Sequence, residues 1–157
     1  MIHAVIATAR GGAIGFKGAL PWPTIREDML QFRHLTIPHC VIMGRKTWES
    51  LPEKYRPLPG RMNVVVSRTL TELDGAFVVS SVEEALGLAE TKRRRPFVIG
   101  GAAIYEAARE YIDVWHVTEI DRDVKADVRF LVPDVPVTEV EESGVEGITF
   151  VTRKRAA

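Results

Sequence analysis

Asp28 is the residue whose type and position most suggest chemistry. It lies four residues before Phe32, so both side chains share one face of a predicted helix, with Met29 beside them and Leu35 further along. A lone carboxylate at an apolar pocket suits pairing with an amidine-like pair of nitrogens on a flat heterocycle. The pattern alone also permits a surface aspartate near a helix start, where a negative charge is favourable.

Two junctions between a strand and a helix could bind anions. Gly44 follows an apolar strand and precedes Arg45 and Lys46, while Gly100 and Gly101 separate another apolar strand from a helical segment. Free backbone N–H groups at a helix start attract negative charge, and paired glycines let a ligand approach bare backbone. With basic residues clustered from Arg45 to Arg68, these junctions suit a diphosphate-bearing cofactor, although a Gly-Gly turn can also be purely structural.

Other kinds of catalysis lack candidates in this sequence. There is no Gly-x-Ser-x-Gly motif, no Walker phosphate loop and no Gly-x-Gly-x-x-Gly motif. The four histidines have no metal-ligand spacing, and Cys40 lies in an apolar strand, which favours an inert buried thiol. We therefore expect neither a nucleophilic residue nor a bound metal.

The composition indicates one globular domain covering residues 1–157. The hydrophobic fraction is 46%, and 21 basic residues balance 21 acidic ones, so no overall positive field would attract nucleic acid or an anionic membrane. One cysteine excludes an internal disulfide, and the first residues lack the layout of a signal peptide, which together favour a cytoplasmic protein. No apolar run approaches the ~20 residues of a membrane span.

Short Val- and Ile-rich runs alternate with helical patterns, which predicts an α/β fold of about eight strands and four helices. The predicted strands are Ile2 to Ala9, Cys40 to Met43, Asn63 to Ser67, Ala76 to Val79, Phe97 to Ile99, Val114 to Glu119, and a final hairpin of Val137 to Glu142 and Ile148 to Arg153. The predicted helices are Thr24 to Leu35, Arg45 to Leu51, Val82 to Thr91 and Ala102 to Tyr111. Ser81 and Glu84 form a capping box for the third helix, and the basic run 92–95 is interpreted as its solvated end.

Several segments resemble the signatures of one enzyme family. They are Ile14-Gly15-Phe16-Lys17-Gly18-Ala19-Leu20-Pro21-Trp22, Val41-Ile42-Met43-Gly44-Arg45-Lys46-Thr47-Trp48-Glu49-Ser50-Leu51, Arg56-Pro57-Leu58-Pro59-Gly60-Arg61-Met62-Asn63 and Val98-Ile99-Gly100-Gly101-Ala102-Ala103-Ile104-Tyr105. In order and spacing, over residues 1 to about 130, they resemble dihydrofolate reductases. The first segment resembles that family's mobile active-site loop.

This resemblance implies a mixed, mostly parallel eight-stranded sheet flanked by four helices, with a C-terminal antiparallel hairpin. It further implies an NADPH-dependent hydride transfer to C6 of the pterin of 7,8-dihydrofolate, giving tetrahydrofolate for one-carbon metabolism. The expected partners are that small substrate and antifolate inhibitors, bound by a monomer.

The resemblance also implies roles for residues at the substrate. Asp28 would hydrogen-bond the pterin 2-amino group and N3, Thr118 would bind that carboxylate, and Leu20 and Trp22 would belong to a loop that closes over the nicotinamide. Arg61 would clamp the α-carboxylate of the glutamate tail. The apolar groups that would pack the substrate are Val5, Ile6, Met29, Phe32, Leu51, Leu58 and Ile99.

On the cofactor side, the resemblance places Arg45 and Arg68 near the 2′-phosphate, which favours NADPH over NADH, and Lys46 and Thr47 by the pyrophosphate. It implies a cis peptide bond between Gly100 and Gly101. The remaining residues matched to the cofactor are Ala7, Ile14, Gly15, Gly44, Ser67, Ala102, Ile104 and Tyr105.

Two alternatives remain open at this level. The pyrimidine reductase of riboflavin synthesis would share the cofactor junctions, but it should not need Asp28, Trp22 and Arg61 together. A nucleotide-binding module of the same fold without turnover is the other alternative.

Overall fold

The computed structural model describes residues 1–156, which form ten strands and four α-helices around one twisted sheet. The strands are β1 (His3–Ala9), β2 (Ala13–Gly15), β3 (Cys40–Gly44), β4 (Met62–Val66), β5 (Phe77–Val79), β6 (Pro96–Gly100), β7 (Val114–Ile120), β8 (Val128–Arg129), β9 (Val137–Glu142) and β10 (Ile148–Lys154). The helices are α1 (Arg26–Thr36), α2 (Arg45–Ser50), α3 (Val82–Thr91) and α4 (Ala102–Ala108).

The main sheet has the strand order β5-β4-β3-β6-β1-β7-β10-β9. The strands from β5 to β7 in this order pair in parallel, and β10 is antiparallel to both β7 and β9. The predicted mostly parallel sheet of eight strands with a C-terminal hairpin is therefore confirmed. Two short strands, β2 and β8, were not predicted; β2 pairs with both β1 and β8 beside the main sheet.

The two faces of the sheet carry separate apolar clusters because successive side chains of a strand point to opposite sides. One cluster contains Val41, Met43 and Phe97, and the other contains Ile6, Val98 and Trp115. Strand β3 is buried at every position, as expected of a central parallel strand covered on both faces. Cys40 at its start is fully buried, and burial raises the pKa of its thiol to about 12, so the prediction of an inert buried thiol is confirmed.

The predicted helices form with small shifts at their ends. Helix α1 begins at Arg26 rather than Thr24, because Ile25 is extended and its side chain is buried, which keeps the chain out of the helical conformation before Arg26. Helix α4 ends at Ala108, and a 3₁₀ turn covers Arg109–Tyr111.

Helix α3 shows the predicted cap. The Ser81 hydroxyl accepts a hydrogen bond from the Glu84 N–H at 3.0 Å, while the Glu84 carboxylate accepts from the N–H of Ser80 rather than from that of Ser81. The basic residues 92–95 after this helix are exposed, as the interpretation of a solvated helix end requires. None of the helices formed by residues 1–156 has both the length and the apolar character needed to span a bilayer.

Candidate active site

A short hydrogen bond between α1 and β7 forms the centre of the candidate site. The Thr118 hydroxyl donates to the Asp28 Oδ1 at 2.6 Å, and Thr118 itself is buried. Burial raises the pKa of the Asp28 carboxyl above its usual value, and the hydrogen bond from Thr118 opposes that shift. The helix thus holds a partly desolvated carboxylate against the sheet, with its second oxygen available to accept further hydrogen bonds.

Apolar groups from several elements surround this carboxylate. A small cavity beside Asp28 is lined by Val5 of β1, by Phe32 and Leu35 of α1, and by residues of β7 and β10. On the same face of the sheet, partly buried residues predicted to pack the substrate lie against one core cluster, which includes buried Leu58; they are Val5, Phe32, Leu51 and Ile99. The structure therefore brings together most of the predicted substrate residues.

Three predicted residues do not join this group. Ile6, also predicted to pack the substrate, follows Val5 on β1, and its side chain points to the opposite face of the sheet, where it packs with Val98 and Trp115. Met29, predicted to pack the substrate, and Leu20, predicted to lie in the loop over the nicotinamide, are 58% and 55% exposed and extend into solvent.

Arg61 is fixed near the end of α1 by groups of this chain. Its Nη1 donates to the Thr36 hydroxyl at 3.1 Å, its Nε donates to the Pro59 carbonyl at 2.9 Å, and its guanidinium lies 5.8 Å from the centre of the Phe32 ring. Burial and the nearby Arg33 lower its pKa, as expected where two cations lie close together with little solvent. Such a position suits the binding of a carboxylate.

The loop that carries Leu58 and Arg61 depends on Asn63, a buried residue of β4. Its side-chain Oδ1 accepts from the Leu58 N–H at 2.8 Å, and its Nδ2 donates to the carbonyls of Leu58 and Arg61 at 3.1 and 3.0 Å. One amide group therefore satisfies three backbone groups of the loop.

A tight turn lies within the segment that resembles a mobile loop. Phe16 and Ala19 exchange two backbone hydrogen bonds, and Lys17 and Gly18 between them both have positive φ angles, of 49° and 79°. Positive φ at both central residues is typical of a type I′ hairpin turn. Asp127 holds its base, since its N–H donates to the Gly15 carbonyl at 3.0 Å and its carboxylate accepts from the Lys17 N–H at 2.9 Å.

Beyond the turn the chain returns to the core. Trp22 is buried with Ala9, Ile25 and Ile120. Ile14, in β2 just before the turn, packs on the core face opposite Phe32. The segment is thus anchored on both sides of the exposed Leu20.

The two glycine junctions predicted to bind anions lie side by side, at the C-terminal ends of the neighbouring strands β3 and β6. A Cβ at Gly44 would lie 3.0 Å from Ile104 of α4 and 3.9 Å from the Gly100 carbonyl. A Cβ at Gly101 would lie 3.8 Å from the Thr47 hydroxyl of α2. Gly100 has a φ of 120°, and the bond from Gly100 to Gly101 is cis, as the resemblance implies.

Basic and hydroxyl side chains surround these junctions. Arg45 contacts the Glu49 carboxylate and the Thr69 hydroxyl, each at 3.2 Å, which links the start of α2 to the loop after β4. The Ser67 hydroxyl lies 3.3 Å from that of Thr69. Lys46 and Arg68 are exposed. Glycine backbone with cations at its rim is a suitable site for a phosphorylated ligand.

Tyr105 is placed differently from the other residues matched to the cofactor. It is buried, and its hydroxyl donates to the Val5 carbonyl at 2.6 Å, so it links α4 to β1 beneath the cavity. Burial and the charge of Asp28 both raise the pKa of the Tyr105 phenol, which keeps it a hydrogen-bond donor at neutral pH. The described residues contain no group of three or more His, Cys, Asp or Glu side chains that could hold a metal ion.

Sequence reasoning missed four residues that shape this site. Gln31 lines the cavity one helical turn from Asp28, and its spacing could have indicated this. Thr36, Asn63 and Asp127 act through hydrogen bonds to distant groups or to backbone, and no spacing rule indicates such contacts.

Replacing Asn63 with Ala should leave the N–H and carbonyl of Leu58 without this partner in a buried position. We expect the free energy of unfolding to fall by about 2–3 kcal/mol, the cost of unsatisfied buried polar groups. Urea denaturation measures this, with Thr71→Ala at an exposed position as the control. A loss within the ±0.5 kcal/mol or so that is usual for surface substitutions would contradict this role of Asn63.

Comparison with known proteins agrees with the geometry. The family model for dihydrofolate reductase matches residues 1–146. A dihydrofolate reductase of Mycobacterium tuberculosis is 47% identical over 122 residues, covering 77% of this chain and 72% of the relative. The corresponding protein of Mycobacterium leprae is 42% identical over 122 residues, covering 77% and 73%. Dihydrofolate reductase type 8 of Escherichia coli is 36% identical over 153 residues, covering 92% and 88%. The chain belongs to the dihydrofolate reductase family.

Proposed function

We propose that this protein reduces 7,8-dihydrofolate to 5,6,7,8-tetrahydrofolate with NADPH, by hydride transfer to C6 of the pterin. The observation that carries the proposal is the half-buried Asp28 carboxylate, bonded to Thr118 at 2.6 Å beside a small cavity whose walls include Val5, Phe32 and Leu35. Among flat heterocycles, a pterin presents an amino group next to a ring nitrogen, which is the pattern that one carboxylate can bind with two hydrogen bonds.

Asp28 binds and polarises the pterin in this proposal. Because Thr118 already occupies one side of Oδ1, the carboxylate has a defined orientation before the ligand arrives, which lowers the entropic cost of binding. Its negative charge stabilises positive charge that develops on the ring as N5 gains a proton. Asp28 need not touch N5 or C6, because water can deliver that proton.

The rest of the substrate would lie along α1 toward Arg61. Phe32, Leu51 and Leu58 supply apolar surface for the pterin and the aminobenzoyl group. Arg61 is held by Thr36 and Pro59 and would bind the α-carboxylate of the glutamate tail with little further loss of side-chain freedom.

The glycine junctions fit the cofactor. Gly44 and Gly101 are places where the backbone is bare, and Thr47, Arg45 and Arg68 supply a hydroxyl and two cations near them. These residues, with Lys46 and Ser67, would hold the phosphates of NADPH, whose nicotinamide supplies the hydride. The segment with Leu20 and Trp22 would cover the reacting atoms and exclude water from them.

Replacing Asp28 with Asn tests the proposed function. We expect NADPH-dependent turnover of dihydrofolate at neutral pH to fall by about 100-fold or more, because a neutral amide cannot stabilise the developing charge. Part of the activity should return at low pH, where the substrate protonates itself. Loss of reduced-nicotinamide absorbance measures turnover, with NADH in place of NADPH as a test of cofactor preference.

Two further readouts separate this effect from misfolding. Because burial raises the pKa of Asp28, its ionised form at pH 7 weakens the unliganded fold, so Asp28→Asn should unfold at the same or a higher temperature than the wild type. Glu27→Gln, one residue away, should keep wild-type turnover. Unchanged turnover of dihydrofolate in Asp28→Asn would contradict the role given to Asp28. NADPH binding without dihydrofolate turnover in the wild type would indicate another substrate, such as that of a pyrimidine reductase.

Replacing Arg61 with Gln tests the position of the glutamate tail. We expect dihydrofolate affinity to fall by about 1.5–3 kcal/mol, the range for hydrogen bonds to charged groups. A diaminopyrimidine antifolate without a carboxylate tail should bind as in the wild type, and Arg26→Gln at the start of α1 serves as the control. Equal losses for both ligands would contradict the assignment of Arg61 to the tail. The measurement is ligand affinity by fluorescence titration.

A further inference from the structure

A pair of histidines that the proposed mechanism does not use lies on β1 and β7, two strands that line the cavity beside Asp28. His3 of β1 and His116 of β7 place Nδ1 and Nε2 at 2.9 Å from each other. The ring planes differ by 9°. The ring centroids are 5.2 Å apart, which equals the distance between the two nitrogens plus about one ring radius for each ring. The rings therefore meet edge to edge through one N–H···N hydrogen bond, in which one ring donates and the other accepts.

This pair belongs to a row of four rings across the parallel sheet. His39, just before β3, and His3 both stack on Phe97 of β6, with centroids 5.3 and 4.6 Å away and planes inclined by 22° and 18°. The His116 ring also lies 6.0 Å from that of Phe97, so His3, His116 and Phe97 form a triangle of packed rings. Both rings of the hydrogen-bonded pair have little freedom to turn, so the bond fixes how the side chains of β1 and β7 meet on this face.

The histidine pair lies on the same strands and the same face of the sheet as residues of the candidate site. His116 precedes Thr118 by two residues on β7, so both side chains point to the same face of the sheet, and both line the cavity that contains Asp28. His3 has the same relation to Val5 on β1, which lines that cavity too. Val5 and His116 are opposite each other in the register of the two strands.

Burial keeps both rings neutral near pH 7, and nearby positive charges add to this effect at His3. Burial, His116, Arg95, the amino terminus and His39 lower the pKa of His3 to about 4. Burial also lowers the pKa of His116, although Glu139 on β9 has an opposing effect. The pKa of His39 is lowered by burial and by the charges of Arg95 and Arg94. A neutral pair retains its single shared hydrogen, whereas two protonated rings would place two donors against each other.

We propose that the His3–His116 hydrogen bond is a positioning device for Thr118, and through Thr118 for Asp28. This inference rests on the proposed function, because it concerns how the pterin-binding carboxylate is held. A supporting layer of packed and hydrogen-bonded groups is what keeps a short bond such as that from Thr118 to Asp28 in one geometry. The histidine bond lies on the same face of the sheet as Thr118, one alternate position along β7, and His116 lines the same cavity.

Replacing His116 with Phe removes the bond and keeps a ring of similar shape. We expect affinity for a diaminopyrimidine antifolate to fall about tenfold, as for residues coupled in one network, while NADPH affinity stays unchanged. His116→Gln should regain most of the lost affinity, because its amide can donate to or accept from His3. If His116→Phe does not fold, His3→Phe removes the same bond from β1 and carries the same expectation.

A double-mutant cycle with Thr118→Val tests whether the effect passes through Thr118. In the Thr118→Val background, His116→Phe should change antifolate affinity less than about twofold, because the group it positions is already absent. Three results would each overturn the proposal. The affinity losses of the two single variants could multiply in the double variant, a folded His116→Phe could keep its affinity, or a folded His116→Gln could show no recovery. Failure of the proposed function shows separately, as a wild type that neither turns over dihydrofolate nor binds the antifolate.

Discussion

The hydrogen bond from Thr118 to Asp28 is the interaction on which the rest of the site depends. It joins the first helix to a strand ninety residues later in the chain, and it holds a carboxylate where burial disfavours its charge. A buried charge is costly unless it is paired or well hydrogen-bonded. The unliganded protein thus holds the charge of Asp28 in an unfavourable state. A positively charged or polarised ligand would relieve it, and in the proposed function this couples ligand binding to charge on the pterin.

Several other buried polar groups support the same site. Asn63 holds the loop of Leu58 and Arg61, Thr36 receives a hydrogen bond from Arg61, and Tyr105 is bonded to the carbonyl of Val5. Each joins a residue of the site to backbone or to another element. The pattern indicates that polar side chains are kept inside this fold chiefly where they fix the geometry of binding groups.

The helices and strands, and the side chains that share one face of a helix, were predictable from the sequence because they depend on local patterns. The Asp28 to Phe32 spacing, the Gly44 and Gly100 junctions and the Ser81 cap all follow from periodicity or residue type within a few positions. What it could not predict were contacts set by register between distant strands, such as His3 with His116 or Asp127 with Lys17. Matching by position placed Val5 and Ile6 together, whereas the alternation of the strand puts their side chains on opposite faces of the sheet.

The most direct test of this account is a pH titration of the Asp28 carboxyl carbon by NMR, with and without a diaminopyrimidine antifolate, using Asp28→Asn to assign the signal. The account predicts that the pKa of Asp28 in the unliganded protein lies above the usual aspartate value, because burial outweighs the bond from Thr118. It also predicts that this pKa falls when the antifolate binds, because a cationic ring favours the carboxylate. An ordinary pKa that does not move on binding would contradict the central role given to Asp28.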